Sequence, residues 1–306
     1  MTTFDPSPSP STAGATPIRI LIINPNTSRH MTDALRPVVA SLRLPLADYT
    51  FFTCPAPGIP SINSPADAAE SARICLPHVI PLLDTHDCVL VACYSQHPLV
   101  GQLKRECAAL KSKSRSAPKK YVTGIFEASV LASLALVDSS DGGGDGDGDD
   151  VAPAFGIVST GKIWETALQG AVEEFLGVDA PTPHSRSRSR FVGCETTGLN
   201  ASELHDLDGA EVRAKMMDAT KRLLRRGKIG GGGGGGGSNS GSTSNSRSRS
   251  RVQAICLGCA GMVGLDDAVR KACVEELGDE VGDAVYIVDG VKAGVGMLYG
   301  FARGGF

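Results

Sequence analysis

The sequence lacks the long apolar runs and the charge imbalance that mark several classes of protein. Its longest apolar runs, such as residues 89–92, are far shorter than the roughly 20 residues of a membrane-spanning helix. Its 306 residues include 30 basic and 33 acidic ones, so the net charge of -3 excludes a global basic field. We therefore expect neither nucleic acid nor a membrane among its partners.

The N-terminus and the cysteines predict the compartment. The first 16 residues are rich in Pro, Ser and Thr and lack both arginine and an apolar core, so we expect no secretory or mitochondrial signal there. The nine cysteines are an odd number without a regular spacing, which predicts reduced thiols rather than disulfides. Both observations favour a cytoplasmic protein.

Four segments of low complexity are not expected to belong to the fold. They are a Pro/Ser/Thr tail at residues 1–16 and three inserts, with Asp-Gly repeats at about 138–152, an Arg-Ser run at 183–190, and eight consecutive glycines before a Ser/Asn/Arg run at 228–251. Such segments bury too little apolar surface to offset their backbone entropy, so we predict disorder. The two Arg-Ser runs are interpreted as expanded loops, with a role in binding RNA as the alternative.

The rest of the chain alternates between short apolar runs and helical patterns. The apolar runs predict strands at residues 18–23, 49–53, 88–92, 122–126, 154–159, 191–195, 252–257 and 285–288. This alternation predicts an α/β fold with mostly parallel sheets and helices on both faces. Ligands of such folds bind at the carboxyl ends of the strands, so the residues just after each strand are the candidates for a site.

Among the residues just after the strands, Cys93 and Cys259 carry the most reactive chemistry. The others are short polar side chains, without a His pair, Lys or Arg. A thiol near the N-terminal end of a helix or turn is expected to have a lowered pKa. Two such thiols on opposite faces of one carbon could remove a proton from one face and return one to the other. Burial of both thiols as small apolar residues is the alternative.

The other seven cysteines are predicted to be core residues. One of them, Cys256, lies inside an apolar strand, so the C-x-x-C at 256–259 is not interpreted as a redox motif. A zinc site would need two further ligands at suitable spacing, and the sequence offers none. We therefore expect no metal.

Five segments of the chain resemble one enzyme family. They are ILIINPNTSRHMTDAL, DCVLVACYSQHPL, VTGIFEAS, FGIVSTGKIWE and AICLGCAGM, in this order. They resemble the hydantoin racemase family, within the aspartate/glutamate racemase superfamily, over most of residues 18–301 apart from the inserts. INPNTS-x-x-MT and LGCAGM are the most specific motifs, and PGIPSINSPADAAESA at 57–72 is also similar to the family.

The resemblance implies two α/β domains related by a pseudo-twofold axis, with the active site in the cleft between them. We expect the first domain at residues 17–98 plus 289–306 and the second at 99–288. The resemblance also implies that Cys93 and Cys259 act as acid and base without a cofactor. It implies substrate-binding roles for Asn24, Ser95 and Thr160. Related enzymes are often oligomeric, so a homo-oligomer is one expected form of assembly.

The expected substrate is a small molecule with an acidic C–H beside a carbonyl group. A five-membered cyclic ureide of the hydantoin or allantoin type fits, as does an amino-acid derivative. Backbone N–H groups beside the second thiol, at Gly258 and Ala260, are expected to hold the enolate-like charge together with polar side chains. The lack of Arg and Lys at the strand ends favours a neutral substrate over a dicarboxylate.

One segment departs from the family pattern. Family members usually carry Ser/Asp-Asp-Pro-Gly-Leu after the first cysteine, whereas this chain has Ser95-Gln96-His97-Pro98-Leu99. His97 is interpreted either as a partner of Cys93 or as a solvated loop residue. Two other functions stay open, namely a cysteine-dependent decarboxylase or isomerase of the same superfamily and a small-ligand binding protein without turnover.

Overall fold

The structure is a computed structural model that describes residues 16–113, 118–138, 152–177, 189–228 and 250–306. Apart from their end residues, the predicted disordered tail and the three predicted inserts lie outside this described part. Lys228 and Ser250, on either side of the glycine-rich insert, form an isolated antiparallel bridge. The two residues that flank this insert are therefore neighbours in the structure. Within the described ranges, no helix is long and apolar enough to cross a membrane.

The strands form two four-stranded sheets in which every strand pair is parallel. The first sheet contains β1 (Ile18–Asn24), β2 (Ala47–Thr53), β3 (Cys88–Val91) and β4 (Tyr121–Gly124). The second contains β5 (Ala154–Ser159), β6 (Phe191–Thr196), β7 (Val252–Gly258) and β8 (Tyr286–Asp289). Their orders, β2-β1-β3-β4 and β6-β5-β7-β8, repeat one topology, so β3 and β7 occupy equivalent positions.

Helices connect the strands, and the predicted α/β class is confirmed. They are α1 (Arg29–Ser41), α2 (Pro65–Val79), α3 (Pro98–Lys113), α4 (Ile125–Leu136), α5 (Ile163–Leu176), α6 (Glu203–Asp206), α7 (Gly209–Arg226), α8 (Asp266–Leu277), α9 (Asp279–Ala284) and α10 (Gly290–Gly304). Two 3-10 helices cover Ile80–Thr85 and Ala260–Met262. Ser28 is the N-cap of α1, because its hydroxyl accepts a hydrogen bond from the Met31 N–H at 3.3 Å.

The segment around β4 differs from the prediction. Residues 125 and 126 were expected in a strand but begin α4, because Gly124 is the N-cap and the two side chains are buried as its first helical turn. Helix α3 was not predicted, and it is the crossover that returns the chain to the first sheet, where β4 pairs with β3. The expected domain limits placed β4 in the second domain. The division into domains stays a prediction, but β4 belongs to the first sheet because it pairs with β3.

Helix α4 lies between the two sheets and contacts β4, β5, β7 and β8. Its Phe126 is fully buried in an apolar cluster that includes side chains of both sheets, a burial that stabilises the fold by roughly 2–3 kcal/mol. Helix α10 packs against α4 and against β1, β3 and β4. Gly290 permits this close approach, because a Cβ there would lie 2.6 Å from the carbonyl oxygen of Ile125.

Candidate active site

The two sheets direct the carboxyl ends of their central strands at one small cavity. Asn26 follows β1 and Cys93 follows β3, whereas Thr160 follows β5 and Cys259 follows β7, and all four line the cavity. Each half of the repeat thus contributes one thiol and one neutral polar side chain from equivalent strands. This is the edge at which parallel α/β sheets bind ligands.

The cavity is narrow. Its volume is about 30 Å³, which corresponds to about two water molecules at most. Its wall includes four apolar side chains, those of Met31, Ile62, Trp164 and Ala201. The loops on its two sides are joined by a long hydrogen bond of 3.5 Å from the Ala201 N–H to Asn63 Oδ1. A ring-sized ligand therefore requires the lining to separate.

The two thiols have different local partners. Cys259 directly follows β7 and is the N-cap of the 3-10 helix Ala260–Met262, where its Sγ accepts a hydrogen bond from the Gly261 N–H at 3.3 Å. The Sγ of Cys93 lies 3.7 Å from the hydroxyl oxygen of Ser95. Ser95 itself is buried but does not line the cavity. Its connection to the site is through Cys93.

The pKa values of both thiols move in the direction opposite to the one expected from the sequence. Burial raises the pKa of Cys93 to about 12, and the nearby Cys259 and Glu127 add to this rise. Burial also raises the pKa of Cys259 to about 11, although the hydrogen bond from Gly261 opposes it. The lowered pKa was expected from a helix N-terminus, but the three-residue turn after Cys259 offers little dipole against the loss of water. Both thiols are therefore neutral at pH 7.

Glu127 is the buried carboxyl group that influences Cys93. It is the third residue of α4, and its carboxyl folds back over Gly124, where the missing side chain leaves the room. Burial raises the pKa of Glu127, while hydrogen bonds from the backbone at Glu127 and Gly124 lower it. Its Oε2 is buried without a hydrogen-bond partner among the described residues. Glu127 thus caps the start of α4 close to the first thiol.

The side chain of Asn24 does not line the cavity, and its expected role in binding substrate stays a prediction. Its Nδ2 already donates to Asn26 Oδ1 at 2.9 Å, to the Ser28 carbonyl oxygen at 2.9 Å and to Thr32 Oγ1 at 3.0 Å. Asn26, two residues later, lines the cavity instead. The Oδ1 of Asn26 accepts from Asn24 and from the Ser28 N–H, whereas its Nδ2 contacts only the sulfur of Met31 at 3.3 Å. Asn26 is thus held by its oxygen and keeps a donor for a ligand.

Thr160, Gly258 and Ala260, which are expected from the sequence to bind substrate, all line the cavity. Within the described chain, the Thr160 hydroxyl makes no hydrogen bond, so it is available to a ligand. Gly258 is constrained by the sheet, because a Cβ there would lie 2.7 Å from the carbonyl oxygen of Val158 and 2.8 Å from the Cβ of Ser159. Ala260 begins the 3-10 helix, so its N–H has no partner inside that helix.

His97 is not a solvated loop residue, because only 2% of its surface is exposed. Its Nδ1 accepts a hydrogen bond from the Leu99 N–H at 3.3 Å, which is how an N-cap residue satisfies the start of a helix, here α3. Nε2 therefore carries the hydrogen, and it is buried without a partner among the described residues. Burial lowers the pKa of His97 to about 4, so the ring is neutral at pH 7. No hydrogen bond joins it to Cys93 in the described structure.

Several lining residues were not selected from the sequence. Tyr94 could have been found from its position beside Cys93, and Asn26 from its position after β1. Met31, Ile62, Trp164 and Ala201 gave no such signal, because their places on the wall depend on how the two halves of the chain meet. In the described ranges, no group of three or more His, Cys, Asp or Glu side chains could hold a metal ion.

A larger cleft of about 610 Å³ lies along α5 and β6, and neither Cys93 nor Cys259 lines it. Glu165, Glu173, Cys194 and Arg226 line it, and none of the residues predicted for the site does. Burial raises the pKa of the Cys194 thiol, and the carboxylates of Glu165 and Glu195 add to this rise. This cleft contains one cysteine, whereas the smaller cavity brings two thiols together at the carboxyl ends of β3 and β7, so the smaller cavity is the better candidate despite its volume.

Comparisons with known proteins agree on one family. A sequence model described as Asp/Glu/hydantoin racemase matches residues 20–231. The uncharacterized protein C1F7.10 of Schizosaccharomyces pombe is 29% identical over 94% of this chain and 92% of its own length. Two solved structures share the fold, each with a TM-score of 0.62 over 94% of this chain. They are the allantoin racemases from Klebsiella pneumoniae (21% identity, 89% of that chain) and Pseudomonas fluorescens (19%, 92%).

Proposed function

The chain belongs to the Asp/Glu/hydantoin racemase family, and we propose that it is a cofactor-independent racemase in which Cys93 and Cys259 act as acid and base on a small cyclic ureide. The observation that carries this proposal is that two thiols, from equivalent strands of two sheets, line one cavity. Inversion by proton exchange needs one base and one acid on opposite faces of a carbon, and two thiols that line one cavity from different sheets support these roles.

The proposed reaction moves two protons and no other atom. One cysteine, as the thiolate, takes the proton from the carbon beside the carbonyl group and becomes a thiol. The electron pair of the C–H bond shifts onto the carbonyl oxygen as an enolate. The other cysteine, as the thiol, then gives its proton to the opposite face of the carbon and becomes the thiolate. The product is the mirror image of the substrate, and the reverse reaction uses the thiols in exchanged roles.

Three neutral donors are available for the enolate oxygen. They are the Nδ2 of Asn26, the hydroxyl of Thr160 and the backbone N–H of Ala260. Such donors act strongly in a site without water, because the low local dielectric increases each interaction with the developing charge. Gly258 contributes space at the end of β7, since its own backbone is part of the sheet.

The lining favours an uncharged substrate. Among the described residues, no Lys, Arg, Asp or Glu side chain borders the cavity. A dicarboxylate would thus leave its charge unpaired in a buried site, which is costly, whereas a ureide ring needs only hydrogen bonds. The two similar solved structures are those of allantoin racemases, and allantoin is a ureide of this kind. The narrow cavity implies that loops around Ile62 and Ala201 separate when the ring enters.

The test follows the purified protein with single-enantiomer allantoin and with several 5-substituted hydantoins in deuterated water. We expect optical rotation to decay to zero while deuterium enters the product at the stereogenic carbon. Deuterium exchange without loss of rotation would contradict a two-base mechanism. Release of carbon dioxide from a 2-substituted malonate, assayed in parallel, would indicate the decarboxylase alternative, because a ureide ring has no free carboxyl group to lose. Binding of ureides without exchange would indicate a binding protein.

A further inference from the structure

A buried chain of polar groups connects the segment of Cys93 to the strand of Cys259. Tyr94 directly follows Cys93, and its hydroxyl lies 2.7 Å from the hydroxyl oxygen of Ser129 on α4. The Sγ of Cys256 lies 3.1 Å from the hydroxyl oxygen of Ser133, one turn further along α4, and 3.7 Å from the Ser129 carbonyl oxygen. Cys256 is in β7, three residues before Cys259.

The donors and acceptors of this chain of groups can be assigned. The Ser129 hydroxyl donates to the Phe126 carbonyl oxygen at 2.9 Å, so the Tyr94 hydroxyl donates to Ser129. Burial raises the pKa of the Tyr94 phenol well above its usual value, which keeps that proton in place. The Cys256 thiol donates to the Ser129 carbonyl oxygen, so the Ser133 hydroxyl donates to Cys256. Each hydrogen has one acceptor.

All four side chains are almost completely buried. Tyr94 is 4% exposed, and Ser129, Ser133 and Cys256 are 0% exposed. Phe, Ala and Val at these positions would satisfy an apolar core without any polar partner, and buried hydrogen bonds add little net stability. A fully satisfied buried network instead fixes one geometry, because any displacement leaves a donor or acceptor unpaired. The Tyr94 ring is also held edge-on against Phe126, at 5.8 Å between centroids.

We propose that the Tyr94 hydroxyl is a positioning group, which holds the Cys93 thiol in register with Cys259 through Ser129 on α4 and Cys256 on β7. This inference rests on the proposed function for its catalytic consequence. A proton transfer between sulfur and carbon requires a separation near 3–3.5 Å, and a misplacement of 1 Å costs about 100-fold in rate. We call this hydrogen-bonded connection from Tyr94 through Ser129 to Cys256 the tie. It acts on the position of the Cys93 thiol and not on the substrate, because the Tyr94 hydroxyl already donates its hydrogen to Ser129.

The test compares Tyr94→Phe with Ser129→Ala, with their double variant, and with Tyr121→Phe as a matched control. The Tyr121 hydroxyl donates to the Phe306 carbonyl oxygen at 2.7 Å, on the surface and far from the thiols. We expect Tyr94→Phe and Ser129→Ala to lower kcat for ureide racemisation by about 10- to 100-fold with KM within about threefold. The double variant should be no slower than the slower single variant, since both remove one bond. Tyr121→Phe should match the unmodified protein.

A second readout does not depend on turnover. Iodoacetamide labelling of Cys93 and Cys259, followed by mass spectrometry, reports how well each thiol is held in the cavity. We expect labelling of Cys93 to rise several-fold in Tyr94→Phe and in Ser129→Ala, but not in Tyr121→Phe. This result would support the tie even if the unmodified protein racemised no ureide, which would refute the proposed function alone. Wild-type labelling and wild-type kcat in Tyr94→Phe, or additive losses in the double variant, would overturn the tie.

Discussion

Cys93 and Cys259 face one cavity from two different sheets, each just beyond the strand that holds the same position in the repeated strand order. Their surroundings are not identical, because Cys259 accepts a backbone hydrogen bond from Gly261 and Cys93 has the Ser95 hydroxyl nearby. The repeat thus places two thiols with different hydrogen-bond partners at the wall of one cavity.

The first prediction concerns the pH dependence of catalysis. Burial holds the pKa of Cys259 at about 11 and that of Cys93 at about 12, so only a small fraction of the free enzyme carries a thiolate near pH 7. Because that fraction rises tenfold per pH unit below the pKa, kcat/KM for racemisation should rise about tenfold per unit from pH 7 to pH 9. A plateau below pH 9 would contradict the raised pKa values.

The second prediction separates two neighbouring asparagines. Asn26→Asp keeps the oxygen that accepts from Asn24 and Ser28 but removes the free donor, so kcat/KM should fall by about 100-fold or more. Asn24→Asp replaces a donor that has three acceptors, so it should lower the free energy of unfolding by about 3 kcal/mol. Urea unfolding and steady-state kinetics measure the two effects. If both variants lost the same catalytic activity without a change in stability, Asn24 would contact the substrate and the prediction would be wrong.

The third prediction concerns His97 and stability at acid pH. Its pKa is about 4 in the fold and about 6.5 in the unfolded chain, so the unfolded state binds more protons between these values. The free energy of unfolding should therefore fall by about 1.4 kcal/mol per pH unit as the pH drops from 6.5 to 4. His97→Asn retains an N-cap acceptor for Leu99 and should remove this contribution to the slope. His78→Gln, at an exposed position, is the control and should leave the pH dependence of the free energy of unfolding unchanged. The same unchanged pH dependence in His97→Asn would refute the prediction.

The fourth prediction tests the close contact of β5 and β7 at the edge of the cavity. Gly258→Ala places a methyl group against the backbone of Val158 and should destabilise the protein by about 1–3 kcal/mol while lowering activity. Gly170→Ala is the matched control, because a Cβ at this position in α5 meets nothing within 4 Å. It should raise stability by about 0.5–1 kcal/mol. Thermal unfolding of the two variants should thus shift in opposite directions.

The strands could be predicted from the sequence because buried parallel strands are short continuous apolar runs. Residues 18–23 and 154–159 therefore gave β1 and β5 almost to the residue. Helix α3 was missed because Pro98 and Gly101 interrupt its pattern, although proline is tolerated in a first helical turn. The start of α4 was missed because Ile125 and Phe126 are as apolar as a strand.

The candidate site was predicted in part. Cys93, Thr160 and Cys259 line one cavity, and the sequence could indicate them because position after a strand is a local signal, strengthened by the family resemblance; their roles stay a prediction. The pKa values of the thiols could not be predicted, because they depend on burial by residues that are remote in sequence. That Asn26 rather than Asn24 lines the cavity could not be predicted either. It depends on which of the two side-chain amides makes the hydrogen bonds inside the turn after β1, and only the structure shows these bonds.

The most direct test of the account removes each thiol separately. Cys93→Ala and Cys259→Ala are compared with Cys273→Ala, which removes a fully buried thiol in α8 that does not line the cavity. With single-enantiomer ureide in deuterated water, both site variants should lose racemisation by at least about 1000-fold, whereas Cys273→Ala should retain it. Racemisation at the unmodified rate in either Cys93→Ala or Cys259→Ala would contradict the two-thiol mechanism.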